Sequence, residues 1–87
     1  MKSFLITFRS ITYAQKAELA LSRAGMKCRL RRTPRWMEDR GCGYGVEVAA
    51  PDPGEAMQIL KAQQIPWQRR WLLKPGGEME EMGHDLP

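Results

Sequence analysis

The chain has 87 residues, of which 43% are hydrophobic and 28% are charged, and its formal net charge at pH 7 is +4. This length allows one domain with one core and excludes a separate catalytic domain, and the composition argues against a disordered chain or a membrane span. The apolar run at residues 4–8 is too short for a signal peptide. We therefore expect a cytoplasmic protein whose thiols stay reduced.

Charge is distributed unevenly along the chain. Residues 76–87 contain four acidic residues and no lysine or arginine, so residues 1–75 hold 14 basic and six acidic side chains, a net charge of +8. Such a basic body attracts anions, which include nucleic acids, anionic small molecules and acidic protein surfaces. A simple solvated face is the alternative explanation of the same pattern.

The first predicted elements are a strand and a helix. Bulky apolar residues alternate over residues 3–8, which predicts a strand with one side toward a core. Ser10 and Thr12 are both suitable N-caps for a helix that runs to Ala24. Gly25 then stands where a left-handed helix cap belongs.

A second strand is predicted over residues 26–33, where the alternation returns. Its core face consists of Met26, Cys28 and Leu30, and its basic face consists of Lys27, Arg29 and Arg31. Cys28 is therefore predicted to be a small buried hydrophobic residue. Residues 34–40 are predicted to form a loop, in which Trp36 and Met37 either cover the domain or face a partner protein.

The second half of the chain repeats this order. Alternation over residues 44–50 predicts a third strand. Asp52 is the predicted N-cap of a second helix, with Pro53 at the first helical position and Pro66 enforcing its end. A fourth strand is predicted over residues 67–73.

This order of elements predicts an α+β fold of the ferredoxin-like split βαβ type (βαββαβ). In that fold both helices lie on one face of a four-stranded antiparallel sheet, and the other face stays open. We expect a single domain over residues 1–74, with its basic residues grouped on the open face. Residues 75–87 are acidic and lack periodicity, so we expect a disordered tail there.

The segment Arg40-Gly41-Cys42-Gly43-Tyr44-Gly45 places one thiol between two residues that have no side chain. Two glycines around a cysteine indicate a turn where the sulfur meets solvent or a ligand, although an incidental cysteine in a flexible turn is the alternative. The chain has no cysteine or histidine spacing for a metal site and no Ser/His/Asp set. Arg35 and Arg40 would favour the thiolate of Cys42, and without a histidine base, transfer of sulfur or selenium suits this thiol better than hydrolysis.

From Phe4 to Leu73 the chain resembles a family of small selenium/sulfur carrier-like proteins. The resemblance rests on four short segments: Ser10 to Tyr13, Ala17 to Leu19, Pro34-Arg35 and Cys42-Gly43. It implies a carrier without turnover of its own, in which Cys42 is the carrier thiol and a persulfide or selenopersulfide is the loaded state. It also implies partners that donate and accept sulfur or selenium, and no cofactor besides the carried atom.

The expected site residues fall into two groups around this thiol. Those expected to support Cys42 are Arg35, Arg40, Gly41 and Gly43. Those expected to bind an anion or a partner are Lys27, Arg29, Arg31, Trp36, Met37 and Tyr44.

Two other functions are consistent with the residues. RNA-recognition modules share the predicted topology, and residues 40–44 nearly reproduce their third-strand signature, with Cys42 in place of one stacking aromatic residue. Without that ring, nucleic-acid binding would be weak and salt-dependent. The other alternative is a module that recognises a protein through Trp36 and Met37.

The two cysteines are predicted not to form a disulfide. A hairpin centred near Met37 or Glu38 would place Cys28 opposite roughly Glu47 and Cys42 opposite roughly Thr33. The two thiols would then lie about 16 Å apart along the ladder, whereas a disulfide needs Cα atoms within about 7 Å.

Overall fold

The protein forms one antiparallel sheet and two helices in a computed structural model, which describes residues 2–34, 36, 43–51 and 53–82. The elements are β1 (Lys2–Thr7), α1 (Ile11–Arg23), β2 (Lys27–Arg32), β3 (Tyr44–Ala50), α2 (Gly54–Ala62), β4 (Arg69–Leu73) and β5 (Met79–Glu81). The strands lie in the order β2-β3-β1-β4-β5, and each neighbouring pair is antiparallel. The α+β class is confirmed, whereas the prediction of four strands is wrong because a fifth strand extends the sheet.

The fifth strand lies in the segment that we expected to be a disordered tail. Gly77 adopts a left-handed φ of +88° and closes a turn in which the Lys74 N–H donates to the Glu78 carbonyl at 2.8 Å. The acidic side chains then meet basic ones, since Glu80 pairs with Lys74 at 3.3 Å and Glu81 with Arg69 at 2.7 Å. The expected disorder is therefore wrong for residues 75–82, and residues 83–87 lie outside the described part.

Both helices pack against one face of the sheet. The buried helix residues are small or aliphatic, and they meet apolar residues of β1 and β3 in one core: Ala14, Ala17, Leu21, Ala56, Leu60, Ile6, Val46 and Val48. Ser10 is the N-cap of α1, because its Oγ accepts a hydrogen bond from the Tyr13 N–H at 3.2 Å. Neither helix has the length and apolar composition that crossing a bilayer requires.

The second helix begins one residue later than the prolines indicated. Pro53 occupies the N-cap position and Gly54 is the first helical residue, so the prediction of Pro53 at the first helical position is wrong. Pro53 has φ −81° and ψ −4° and makes no side-chain capping bond. Asp52, the predicted cap, lies outside the described residues.

The face of the sheet opposite the helices is partly covered. Leu5 on β1 has no exposed surface and Trp71 on β4 is only 9% exposed, and Leu73 and Met79 pack against this pair. The expectation of a fully open face is therefore wrong on the β1-β4-β5 side. The cause is β5, which supplies Met79 beside a large indole ring and so allows a second small core.

Candidate functional site

The predicted basic row lies on the edge strand β2, on the face opposite the helices. Lys27, Arg29 and Arg31 stand opposite Ala49, Glu47 and Gly45 of β3, respectively. Glu47 Oε1 accepts hydrogen bonds from Arg29 Nη2 at 3.3 Å and from Arg31 Nη1 at 3.0 Å. Because two guanidinium groups share one carboxylate, the row retains a net positive charge.

A surface cavity of about 540 Å³ lies along this row. Lys27, Cys28 and Arg29 of β2 line it together with Ser3, Glu47 and Ala49. The Arg29 side chain is 71% exposed, so solvent screens its ion pair and its charge is accessible to an anion. The structure therefore brings Lys27 and Arg29 together on one accessible surface.

Tyr44 does not lie with this basic row. It lies on the same face of β3 as Val46 and Val48, which are buried against the helices, and its ring centroid lies 5.3 Å from Arg32 Cζ. The structure therefore does not bring Tyr44 together with Lys27, Arg29 and Arg31, because strand alternation sends Tyr44 to the opposite face. The alternative of an RNA-recognition module loses its aromatic platform for the same reason, since Gly45 occupies the face that would have to present a ring.

Gly43 closes the connection between β2 and β3. Its φ is +83°, in the left-handed region that favours glycine, and its carbonyl accepts a hydrogen bond from the Thr33 N–H at 3.0 Å. The glycine that follows Cys42 in the sequence is therefore required by the backbone. The other predicted residues of this connection, Arg35, Met37, Arg40, Gly41 and Cys42, lie outside the described residues.

Trp36 contacts the second small core from the same connection. Its ring packs edge-on against Trp71, with centroids 5.1 Å apart and an interplanar angle of 81°, while 60% of its surface stays exposed. Trp36 therefore covers this part of the sheet with one edge of its ring, and the rest of the side chain remains accessible to solvent.

Four arginines gather at the end of the sheet where Gly43 lies. Arg31, Gly45, Thr7 and Arg69 stand side by side across β2, β3, β1 and β4, and Arg32 and Arg70 are the chain neighbours of the two arginines. Arg70 is only 5% exposed, and this burial lowers the pKa of its guanidinium from the ordinary value. Arginines therefore stand on both faces of this end of the sheet, with Arg32 and Arg70 on the helix side and Arg31 and Arg69 on the opposite face, where each forms an ion pair with a glutamate.

Cys28 lies on the helix side of β2, as predicted. Its Sγ is 3.4 Å from Ser22 Oγ and donates a hydrogen bond to the Glu18 carbonyl at 3.6 Å, and the side chain is half-buried against the core. Cys28 is a free thiol opposite Val48, one residue from the predicted Glu47. The hydrogen bonds and partial burial leave this thiol poorly placed for attack.

Two residues of this region were missed by the sequence reasoning. A Cβ added to Gly45 would lie 2.7 Å from the Ile6 carbonyl oxygen and 3.0 Å from Leu5 Cδ1, so this glycine permits a close approach of β1. A glycine inside a strand pattern is the signal for such an approach. Trp71 carried no comparable signal, because both faces of β4 have a mixed composition.

Comparison with known proteins gave one family. A family model described as "Putative Se/S carrier protein-like" matches residues 3–71, which run from within β1 to within β4 and include Cys42 and Gly43. Neither the curated proteins nor the solved structures gave a match.

Proposed function

Since the chain belongs to the Se/S carrier protein-like family, we propose that it carries sulfur or selenium as a persulfide or selenopersulfide on Cys42. Donor proteins load this thiol in the cytoplasm and acceptor proteins unload it, so the chain acts as a carrier and not as an enzyme. In the same proposal, β1 to β4 and the two helices constitute a ferredoxin-like split βαβ unit. The strand order β2-β3-β1-β4 supports this, with β5 as an addition at one edge.

The observation that carries the proposal is the backbone of Gly43. Its left-handed φ of +83° and its hydrogen bond to Thr33 make glycine the residue required after Cys42. The glycine of the Cys42-Gly43 pair, which carries part of the family resemblance, therefore has a structural cause.

The arginines at this end of the sheet supply the electrostatic part of the proposal. Arg31 pairs with Gly45, two residues along the chain from Gly43, and Arg69 pairs with Thr7, the β1 partner of Gly45. Nearby cations favour a thiolate over a thiol and attract anionic sulfur or selenium species. Both guanidinium groups bind glutamates, Glu47 and Glu81, so their contribution is partly offset.

The transfer step needs no external oxidant or reductant. The Cys42 thiolate attacks the outer sulfur of a donor persulfide, a new S–S bond forms, the donor's own S–S bond breaks, and the donor leaves as a thiolate. An acceptor thiolate then attacks the outer sulfur on Cys42 and releases the Cys42 thiolate. Selenium follows the same sequence with selenium as the outer atom.

The test is the intact mass of protein purified without reductant and then loaded with a persulfide donor. The proposal expects an added mass of about 32 Da for sulfur or about 79 Da for selenium, which a reductant removes. Cys42→Ala should abolish the adduct, and the matched variant Cys28→Ala should retain it. An adduct that persists in Cys42→Ala, or no adduct after loading, would refute the carrier role of Cys42.

A further inference from the structure

A second surface cavity, the aromatic cavity, lies where the start of α1 meets the segment before β4. Its volume is about 330 Å³, and its lining residues are Arg9, Tyr13, Pro66 and Trp67. This volume is at the small end of the range of ligand sites in proteins. Two aromatic rings, a proline and a guanidinium group therefore meet in a space that suits one small molecule.

Hydrogen bonds of the backbone fix both walls of the aromatic cavity. On one side, the Tyr13 N–H donates to Ser10 Oγ at 3.2 Å, which caps α1 and sets Tyr13 in the first turn. On the other side, the Gln68 N–H donates to the Thr7 carbonyl at 2.7 Å and holds Pro66-Trp67 beside the end of β1. The walls are thus largely preformed, which lowers the entropic cost of binding a ligand.

The two aromatic side chains offer ring surface to such a ligand. Trp67 is half-buried and packs against the main core, and Arg70 Cζ lies 5.4 Å from the centroid of its ring. Tyr13 is 37% exposed and lies outside the buried face of α1, so core packing does not explain an aromatic residue there. Aromatic side chains stack on planar rings and tolerate any base, because every base has a π-face.

Arg9 supplies the charge of the aromatic cavity. Its side chain is exposed, and among the residues that the structure describes no carboxylate lines the cavity. A guanidinium group binds a phosphate or a carboxylate through two parallel N–H donors. An anion bound at an exposed arginine keeps part of its hydration, so the high cost of burying a charge is avoided.

We infer that the aromatic cavity binds a planar ring that carries an anionic group, which is the chemistry of a nucleotide. The ring lies against Tyr13 and Trp67, and the phosphate pairs with Arg9. A free mononucleotide and the phosphorylated end of an RNA strand share this chemistry. The inference goes beyond the proposed function and does not depend on it, because it uses no residue of the connection that contains Cys42.

Titration with adenosine monophosphate tests the inference through the indole N–H signals in proton–nitrogen NMR spectra. The chain has three tryptophans, and single Trp→Phe variants assign their signals. Ionic strength is held constant, because salt screens a pair between exposed Arg9 and a phosphate. We expect a saturable shift of the Trp67 signal. Trp36 and Trp71, which pack together on the other face of the sheet, are the internal controls.

Two pairs of variants separate the contribution of the ring from that of the charge. Tyr13→Ala should weaken binding about tenfold through the loss of stacking, whereas Ile11→Ala, also exposed in the first turn of α1, should leave it unchanged. Arg9→Gln should weaken binding about fivefold, the value of an exposed ion pair, and should not change the affinity for adenosine. Arg23→Gln, at the other end of α1, is its control.

Three results would overturn the inference. The first is a Trp67 signal that does not move, and the second is a shift that Tyr13→Ala leaves unchanged. The third is binding of adenosine or of inorganic phosphate as tight as that of adenosine monophosphate, because ring and anion would then not act together.

A phosphorylated oligoadenylate, followed through the same Trp67 signal, separates the two sources of the ligand. Binding tighter than that of adenosine monophosphate and weakened by Tyr13→Ala would identify an RNA end, whereas equal or weaker binding would identify the free nucleotide. Cys42→Ala protein should bind adenosine monophosphate as the wild type does. Failure of this site is therefore distinguishable from failure of the carrier role, which the mass of the loaded protein reports.

Discussion

Gly45→Ala is expected to destabilise the fold through one steric contact between β3 and β1. Gly45 pairs with Thr7 of β1 and with Arg31 of β2, so it lies inside the sheet. The added Cβ would stand 2.7 Å from the Ile6 carbonyl oxygen and 3.0 Å from Leu5 Cδ1. A rotamer change of Leu5 relieves the second contact, but the first involves backbone and is relieved only if the strands separate.

The magnitude follows from two opposing effects. Overpacking in a well-packed interior costs up to about 3 kcal/mol. Replacing glycine by alanine in a strand recovers about 1 kcal/mol, because glycine loses more conformational entropy on folding. The net loss of about 2 kcal/mol corresponds to a Tm lower by about 8 to 16 °C for a domain of this size.

Thermal unfolding followed by circular dichroism measures this effect, and Gly76→Ala is the matched control. No atom lies within 4 Å of a Cβ added to Gly76, so that variant should be neutral or slightly more stable. Equal Tm values for the two variants would show that β1 and β3 do not approach as closely at Gly45 as the structure has them.

Three further predictions concern the thiols, the basic row and β5. Iodoacetamide should label Cys42 much faster than Cys28, whose sulfur is half-buried and hydrogen-bonded. Peptide mapping at successive times gives the labelling rate of each cysteine, and equal rates would contradict the prediction. Glu47→Gln should change the free energy of unfolding by less than about 1 kcal/mol. It should also raise the weak affinity for single-stranded RNA at low salt, because it removes the carboxylate that pairs with two arginines. Fluorescence anisotropy at two salt concentrations checks this, and base-selective binding that survives high salt would refute it. Deletion of residues 75–87 should lower the free energy of unfolding by about 2 kcal/mol, since it removes Met79 from the second core and the partner of Arg69. Unfolding in urea checks this, and an unchanged midpoint would mean that β5 contributes nothing to stability.

Local patterns in the sequence were sufficient to predict most elements. The alternation in β1, β2 and β3 indicates which side of each strand is apolar, and this property belongs to the strand itself. The faces of β2 were therefore assigned correctly, with Cys28 toward the helices and Lys27, Arg29 and Arg31 away from them. The same alternation places Tyr44 with Val46 and Val48, so its separation from the basic row was already implicit in the sequence.

The observed register of β2 and β3 differs by one residue from the predicted one. The predicted partner of Cys28 was roughly Glu47, whereas the observed partner is Val48. Residues directly opposite in a ladder share a face, so a helix-facing Cys28 requires a helix-facing partner. Combining the face assignment with the pairing would have excluded Glu47.

The sequence by itself determined the α+β class, the order of the first six elements, the basic strand face and the Cys42-Gly43 pair, because each depends on neighbours within a few positions. Only the tertiary structure decided that residues 79–81 form β5, that Trp36 packs on Trp71 and that Gly45 is required for close approach. A short acidic segment has no strand pattern of its own, and β5 exists because the edge of β4 offers it backbone hydrogen bonds, basic partners and an indole ring to cover. Such contacts join distant parts of the chain, so their energies have no signature in the local pattern.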